Sequence, residues 1–240
     1  MRIAKFIFLG VFLVVLFSVG QFAYSESNTD LPEADVSIYP WSAIGKLNNS
    51  VGGSCTAAVI KQDLALTAAH CIFNHRTGRF LPAESLHLLL GFRRGDYVVH
   101  ALVSSYTIGP EYDPSMELQT IKSDWALLRL TDQLPVTIRP LAISDTVPKA
   151  GTHVMVGSYA RGRRYVMTVD KDCQLSGISA NSVLLQHDCR VAQGSSGAPL
   201  LMMNNDSAVI VGVQVAIGKR NGADVMLAVS AESIRVLINK

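Results

Sequence analysis

The sequence has little charge, because Asp, Glu, Lys and Arg make up 17% of its 240 residues against 49% hydrophobic residues. A disordered chain needs low hydrophobicity and high net charge, so this balance excludes one. Glycine and proline, at 18 and 9 residues, fall far short of the content of a collagen-like or low-complexity chain, which excludes both classes. The sequence lacks Cys-x-x-Cys, His-Glu-x-x-His and Gly-x-Gly-x-x-Gly, and we therefore expect neither a metal site nor a cofactor.

A long apolar run is confined to the N-terminus, where residues 6–19 follow Arg2 and Lys5. The small residues Ala23 and Ser25 come after it, and this order predicts a secretory signal peptide over residues 1–25. We expect the mature protein to be secreted or periplasmic. The run is shorter than the roughly 20 residues that span a bilayer, although an uncleaved membrane anchor stays the alternative.

Charge gives no reason to expect a nucleic-acid partner, or a membrane partner after signal cleavage. Residues 1–25 contain two basic and no acidic residues, so removing them from 21 basic and 19 acidic residues leaves 19 of each. Nucleic acids and anionic membranes attract proteins that carry an excess of basic residues.

Four cysteines remain in the exported chain, and an even number in this setting predicts disulfides. Cys55 and Cys71 are 16 residues apart, and so are Cys173 and Cys189. Three pairings are possible, and the two short spacings favour the local ones. Each bond would stabilise the fold by about 3 kcal/mol in the loop-entropy model.

Short runs rich in Val, Leu, Ile and Tyr alternate with Gly, Asn and Asp turns, which is typical of β-sandwiches and β-barrels. A stretch with three prolines at 132–149 separates two halves, and residues 26–38 are predicted to be a flexible segment or short pro-piece. Ser230 is predicted to cap a C-terminal helix. The predicted strands are Cys55–Ile60, Leu64–Thr67, Leu86–Leu90, Tyr97–Ser104, Trp125–Leu130, His153–Gly157, Tyr165–Val169, Ser182–Leu185, Ala208–Ala216 and Val225–Val229.

Three short segments carry side chains that can act together. His70 ends Leu-Thr-Ala-Ala-His, Asp124 begins Asp-Trp-Ala-Leu-Leu, and Ser196 lies in Gly-Ser-Ser-Gly-Ala-Pro. Each segment alone fits an ordinary histidine, a capped element or a flexible turn. Together they supply an imidazole, a carboxylate and a hydroxyl, which is the set that serine nucleophiles use.

On these motifs the chain resembles the trypsin/chymotrypsin family of serine endopeptidases, most closely its bacterial branch with the glutamyl endopeptidases. The histidine and aspartate motifs match, the serine motif departs from Gly-Asp-Ser-Gly-Gly-Pro at two positions, and Tyr39–Gly45 is similar to the first barrel strand. The resemblance implies an all-β fold of two antiparallel six-stranded Greek-key β-barrels with a C-terminal α-helix. The barrels would span 39–135 and 136–240, with the active site between them. It also implies that a disulfide between Cys55 and Cys71 brackets the histidine.

The resemblance further implies the role of each site residue in peptide hydrolysis through an acyl-enzyme, without a cofactor. Ser196 would be the nucleophile, His70 its base and Asp124 the group that orients His70. The backbone N–H groups of Gly194 and Ser196 would form the oxyanion hole. Ser195 competes for the nucleophile role, and it replaces the aspartate that binds a new N-terminus in trypsin-like members. We therefore expect an oxyanion loop that forms without an ammonium partner.

The family resemblance also implies which residues bind the substrate. They are Arg190, Gln214, Val215, Ala216 and Ile217. Arg190 lies six residues before the predicted nucleophile, which argues against cleavage after Lys or Arg. Its side chain either pairs with an acidic P1 residue or points to solvent. Gln214 stands where glutamyl endopeptidases have a pocket histidine, and Ile217 stands where many relatives have glycine. A small or medium apolar P1 residue therefore stays open.

We expect a monomeric enzyme whose substrate is a polypeptide. The basic loop and the histidines that lie outside the three motifs are predicted to be ordinary surface groups. Arg161–Arg164 is predicted to be a solvated loop, with a processing site or a patch for an acidic partner as the alternatives. A catalytically silent binding protein on the same scaffold is the alternative function, and an esterase using the same triad is a second. The histidines without a motif are predicted to lie on the surface or in loops: His75, His87, His100, His153 and His187.

Overall fold

The computed structural model describes residues 30–179, 183–220 and 222–238, so the predicted signal peptide lies outside the described residues. The strands are β1 (Ile44–Asn49), β2 (Ser54–Lys61), β3 (Leu64–Thr67), β4 (Phe73–Asn74), β5 (Arg79–Phe80), β6 (Leu86–Leu90), β7 (Val99–Ile108), β8 (Ala126–Leu130), β9 (Ala142–Ile143), β10 (His153–Ser158), β11 (Thr168–Ile178), β12 (Leu184–His187), β13 (Pro199–Asn204), β14 (Ser207–Arg220) and β15 (Ala223–Ser230). The α-helices of this part are α1 (Glu117–Thr120) and α2 (Ala231–Ile238), and the 3₁₀ turns are Trp41–Ala43, Ala69–Ile72, Ala83–Ser85, Pro114–Met116 and Ile121–Ser123. No helix in these three ranges has the length and apolar character that crossing a bilayer requires.

The first barrel is closed and antiparallel, with the strand order β1-β2-β3-β8-β7-β6. Successive side chains of a strand point to opposite faces, and β6 shows this alternation clearly. Leu86, Leu88 and Leu90 are fully buried inside the barrel, whereas His87 and Leu89 are partly exposed. The inward leucines supply the apolar burial that holds this barrel together.

The second barrel has the order β13-β10-β11-β12-β15-β14 and closes through the pairing of β13 with β14. The short strand β9 adds to the outside of β14 in parallel, with Ala142 opposite Val209. The interior of the second barrel contains buried side chains from several strands, among them Val156, Leu185 and Leu200. The prediction of two six-stranded antiparallel barrels followed by a helix is therefore confirmed.

One predicted strand is displaced in the structure. The run Tyr165–Val169 was expected to be a strand, but Val166 closes a turn by donating to the Arg163 carbonyl, and β11 begins at Thr168 and continues to Ile178. The sequence hides this strand because it places charges inside it. Asp170 is buried there, with 5% of its surface exposed, and its carboxylate accepts bonds from Arg190.

The segment before the first barrel also differs from expectation over the residues that are described. Residues 26–38 were predicted to be a flexible segment or a short pro-piece, and in the part that is described Leu31 and Ala34 are buried, which is not expected of a flexible segment. Ala34 donates to the Met167 carbonyl, and Val169 donates to the Pro32 carbonyl. These ladder-like bonds and the burial of Leu31 hold the segment against the second barrel.

The C-terminal helix begins where it was predicted, but its first turn is not capped as expected. The Ser230 hydroxyl is buried and has no hydrogen-bond partner among the described residues. The helix is held by packing instead, because Ile234 is fully buried.

Candidate active site

The pairing of two neighbouring strands brings His70 and Asp124 together. Thr67 at the end of β3 lies opposite Ala126 at the start of β8. His70 lies in the short 3₁₀ turn that follows Thr67, and Asp124 precedes Ala126 by two residues. The two side chains therefore start from the same end of the first barrel.

Asp124 holds His70 through two hydrogen bonds. Its Oδ1 accepts from the His70 backbone N–H at 2.9 Å, and its Oδ2 lies 2.7 Å from Nδ1 of the ring. Asp124 is buried, whereas His70 keeps 23% of its side chain exposed. With Nδ1 donating to the carboxylate, Nε2 is the ring nitrogen that can accept a proton.

Several influences act on the pKa of His70 in opposite directions, and their net effect raises it above its usual value. Burial alone would lower the pKa, because it penalises the charged ring. The hydrogen bond to Asp124, the charge of Asp124 and the charge of Glu117 outweigh burial. The arrangement therefore stabilises an imidazolium at this position.

The histidine turn is fixed by a disulfide between Cys71 and Cys55 in β2, and the second disulfide joins Cys173 to Cys189. This is the pairing that the spacings favour. Cys55, His70 and Cys71 also form the one cluster of three potential metal ligands within the described ranges. Both sulfurs are consumed by the disulfide, so this cluster offers a metal no thiolate.

The predicted nucleophile lies in a turn between two glycines whose backbone conformation disfavours other residues. Gly194 and Gly197 have φ angles of +92° and +79°, in the left-handed region that disfavours other residues. A Cβ on Gly197 would lie against the Thr56 carbonyl and the Thr67 hydroxyl. The serine turn therefore packs directly on the chain that leads into His70.

The two adjacent serines have different environments. Ser195 is 1% exposed, and its hydroxyl bonds the Ser158 hydroxyl at 2.8 Å and accepts from the Ala192 N–H. Ser196 is only partly buried. The structure thus places Ser195 inside the protein with polar partners and leaves Ser196 as the accessible hydroxyl.

Thr56 joins the two barrels at this site, and sequence reasoning missed it. Its N–H donates to the Ser196 carbonyl at 2.9 Å, and its hydroxyl donates to the Gly194 carbonyl at 3.1 Å. The same hydroxyl accepts from the Tyr159 N–H at 3.1 Å. No motif in the sequence marks this residue, and its neighbour Cys55 is the nearest signal.

The backbone of Arg161 orients the peptide before Gly194. The Arg161 N–H donates to the Gln193 carbonyl, and the Arg161 side chain donates to the Gln193 side chain at 2.7 Å. The N–H and C=O of a trans peptide point in opposite directions. The Gly194 N–H therefore points away from the Arg161 backbone.

Gln214 has both ends of its amide occupied by protein groups. Its Nε2 donates to the Ala216 carbonyl at 2.9 Å, and its Oε1 accepts from His187 Nε2 at 2.6 Å. His187 was predicted to be a surface or loop histidine, and this prediction is wrong. It lies in β12 with 2% of its surface exposed, and burial lowers its pKa to about 4 despite the bond to Gln214.

The part of β14 that follows Gln214 has one edge without a paired strand among the described residues. The ladder of β13 on β14 ends at the pair Pro199–Val213, and Gln214 then bonds Gly197 and Ala198. A bulge at Val215 follows, opposite β15. Val215 is buried and Ile217 is 45% exposed.

Arg190 is engaged away from the predicted pocket residues. Its backbone N–H and its Nε both bond Oδ2 of Asp170, at 2.8 and 3.2 Å. Burial would raise the pKa of Asp170, but these bonds and the Arg190 charge keep it below the usual value. Arg190 lines a cavity with the segment Pro32–Asp35, and Gln214 is not part of that lining.

Comparisons with known proteins agree with this fold. The family model for Trypsin matches residues 32–235. A solved structure of a Glu endopeptidase in complex with MPD superposes with a TM-score of 0.71 at 21% identity, covering 87% of this chain and 94% of that one, which shows the fold.

Curated relatives cover less of the chain. Serine protease SP24D of Anopheles gambiae is 27% identical over 63% of this chain and 59% of its own length. Magnetosome formation protease MamE of Paramagnetospirillum magneticum is 31% identical over 48% of this chain and 16% of its own length. The chain thus spans less than two thirds of either relative. The family model covers most of the chain, and the chain belongs to the trypsin family of serine proteases.

Proposed function

We propose that this chain is a secreted serine endopeptidase that hydrolyses peptide bonds with His70, Asp124 and Ser196. The observation that carries the proposal is the pair of hydrogen bonds between Asp124 and His70, which form beside the turn that contains Ser196. This arrangement leaves Nε2 of the ring available to a hydroxyl. The buried, bonded state of Ser195 favours Ser196 as that hydroxyl.

In the first step the Ser196 hydroxyl loses its proton to His70 Nε2 as its oxygen attacks the substrate carbonyl carbon. Asp124 stabilises the imidazolium that forms, and its bond to Nδ1 keeps the ring in the correct tautomer. The imidazolium then protonates the leaving amine, and an acyl-enzyme on Ser196 remains. Water repeats the sequence with the same base, releasing the acid product and restoring the hydroxyl.

The developing oxyanion needs donors that are already in place. We assign this role to the backbone N–H groups of Gly194 and Ser196. The Arg161 N–H holds the Gln193 carbonyl and the Ala198 N–H holds the Ser195 carbonyl, and these two peptides carry the Gly194 and Ser196 N–H groups. Thr56 holds the other two peptides of the turn through the Gly194 and Ser196 carbonyls. Loss of one such donor typically costs about 10²- to 10³-fold in rate. The Ser195–Ser158 bond supplies a neutral partner where an ammonium would otherwise be needed.

The contacts favour a small or medium apolar P1 residue over an acidic one. The Gln214 amide is uncharged and buried, and it is already fixed by donating to the Ala216 carbonyl through Nε2 and by accepting from His187 through Oε1. Arg190 is held by Asp170. Val215, Ala216 and Ile217 lie at the open edge of β14, where an extended substrate can add as a strand.

Secretion rests on the N-terminal sequence and on the disulfides. Both cysteine pairs are oxidised, which suits an oxidising compartment. The protein is expected to act as a monomer because the two barrels supply every group of the proposed site.

The proposal is tested by mapping cleavage sites in a peptide library with the exported form of the full chain. We expect cleavage at interior bonds, with small or medium apolar residues at P1. The matched variants Ser196→Ala and Ser195→Ala separate the two hydroxyls, since only the first should abolish cleavage. A library left intact by the wild-type protein would support a catalytically silent scaffold instead.

A further inference from the structure

A cavity of about 400 Å³ adjoins the predicted oxyanion glycine and is not used by the mechanism above. It is lined by the glycine-rich hairpin Gly52–Ser54, by Gly194, and by Arg161 and Arg164 of the basic loop. Its volume falls within the range of ligand sites. The basic loop was expected to be solvated, and both arginines are indeed exposed, but they line a concave surface at the site.

This cavity lies on the leaving-group flank of Ser196. The serine turn contacts β14 on one flank, where Gly197 donates to the Gln214 carbonyl. It contacts β2 on the other flank, where Thr56 donates to the Ser196 carbonyl, and Gly52–Ser54 lead directly into that strand. A substrate whose acyl part follows β14 therefore crosses Ser196 and continues into this cavity.

The cavity end of the groove carries positive charge without a matching carboxylate. Within the described ranges, Lys46, Arg161 and Arg164 take part in none of the ion pairs, although Glu33 pairs with both Arg93 and Arg94.

Aromatic rings hold two of these cations in place. The Lys46 ammonium lies 4.6 Å from the Phe92 ring centre and 5.6 Å from that of Tyr165, which Arg164 also approaches at 6.0 Å. Burial and the Arg164 charge lower the pKa of Lys46, as expected where cations crowd. Lys46 is buried and does not line the cavity, whereas Arg161 and Arg164 line it and are exposed, so these two cations remain available to an acidic ligand.

We propose that Arg161 and Arg164 select a carboxylate within the first two residues on the leaving-group side of the scissile bond. This inference rests on the proposed endopeptidase function. Two sources share this chemistry: the side chain of Glu or Asp, and the α-carboxylate of a peptide that ends at this position.

The test measures kcat/KM for matched internally quenched peptides with an apolar P1 residue. One series carries Glu, Gln or Lys at the first or the second leaving-side position. Another carries Gln there and ends in either a free carboxylate or an amide. We expect Glu to exceed Gln about fivefold at one of the two positions, with Lys lowest. The preference should shrink when salt is raised, because the arginines are exposed.

Variants assign the preference to the loop. Arg164→Glu should reverse the order so that Lys exceeds Glu, because it reverses one charge of the cavity. Arg161→Gln should weaken the preference, and it should also slow every substrate because Arg161 holds Gln193. Arg129→Gln is the matched control, since Arg129 pairs with Asp63 and lines a different cavity, and it should leave the preference intact.

Each outcome decides a separate point. A preference for the free carboxylate over the amide, without one for Glu, supports the proposal with the peptide end as the source. Equal kcat/KM for all substrates, or a Glu preference that survives Arg164→Glu, overturns this inference while leaving the endopeptidase proposal standing. A wild-type protein that cleaves none of the peptides and no library member overturns both.

Discussion

His70 has contacts that act on its pKa in opposite directions. Burial lowers the pKa, whereas the bond to Asp124 and the charges of Asp124 and Glu117 raise it further than burial lowers it. In the proposed mechanism the ring must be neutral to accept the Ser196 proton. A raised pKa therefore means that activity is lost on acidification at a pH above 6.5, the usual value for histidine.

Glu117→Gln should move the acidic limb of kcat/KM to lower pH, because it removes one of the charges that stabilise the imidazolium. The measurement is a pH–rate profile on one peptide, with Glu84→Gln as a control that removes an exposed acid outside the His70 environment. Identical acidic limbs in the Glu117 and Glu84 variants would show that Glu117 does not act on His70.

His187 gives the molecule a second, separate response to acid. The folded chain keeps it neutral because burial lowers its pKa to about 4, whereas the unfolded chain protonates it near 6.5. Its neutral form is fully compatible with the fold above pH 6.5. As the pH falls from 6.5 towards 4, the unfolded state binds the extra proton and stability is lost.

His187→Gln should reduce this loss of stability, since a glutamine can still donate to Gln214 and does not titrate. The free energy of unfolding in urea, measured from pH 7 to pH 4.5, should fall less steeply in the variant, by up to about 1.4 kcal/mol per pH unit. His153→Gln removes an exposed histidine and should keep the wild-type slope. Parallel slopes for all three proteins would mean that His187 titrates normally in the fold.

At the scale of elements, the turn that contains Ser196 requires glycine at position 197 for two reasons, the positive φ angle and the lack of space for a Cβ. Gly197 and Gly151 both have positive φ angles, of +79° and +83°. A Cβ at Gly151 would meet nothing within 4 Å, whereas a Cβ at Gly197 would meet Thr56 and Thr67. The two positions separate the cost of the φ angle from the cost of the close approach.

Gly151→Ala should lower the free energy of unfolding by about 1–2 kcal/mol and leave kcat unchanged, because only the left-handed conformation opposes it. Gly197→Ala should cost more and should reduce kcat at least about 100-fold, because the serine turn must move from Thr56 and the proposed oxyanion donors must move with it. Urea unfolding and peptide hydrolysis measure both quantities. Equal effects of the two variants on kcat would contradict the packing role of Gly197.

The strands that the sequence predicts well are the ones with an uninterrupted apolar pattern. Leu64–Thr67 and Leu86–Leu90 were predicted with their observed bounds. β11 was largely missed because Asp170 and its neighbours have the composition of a loop, and the charge that compensates the buried carboxylate comes from Arg190, twenty residues later. A local pattern cannot reveal a partner that folding supplies from a distant segment.

At the scale of the whole molecule, the candidate site depends on contacts between barrels that no motif encodes. His70 and Asp124 were predictable because each lies in a recognisable motif, and the Thr67–Ala126 pairing then joins them. Thr56 and His187 were not predictable, because their roles come from tertiary contacts with Ser196, Gly194 and Gln214. The buried N-terminal segment was missed for the same reason.

The most direct test of the central claim is to find which residue a fluorophosphonate modifies in the exported protein. After digestion, mass spectrometry should locate the phosphonyl group on Ser196. Labelling should persist in Ser195→Ala and disappear in Ser196→Ala and His70→Ala, with all three variants still folded by circular dichroism. An adduct on Ser195, or labelling that survives Ser196→Ala, would show that the hydroxyl activated by His70 is not that of Ser196.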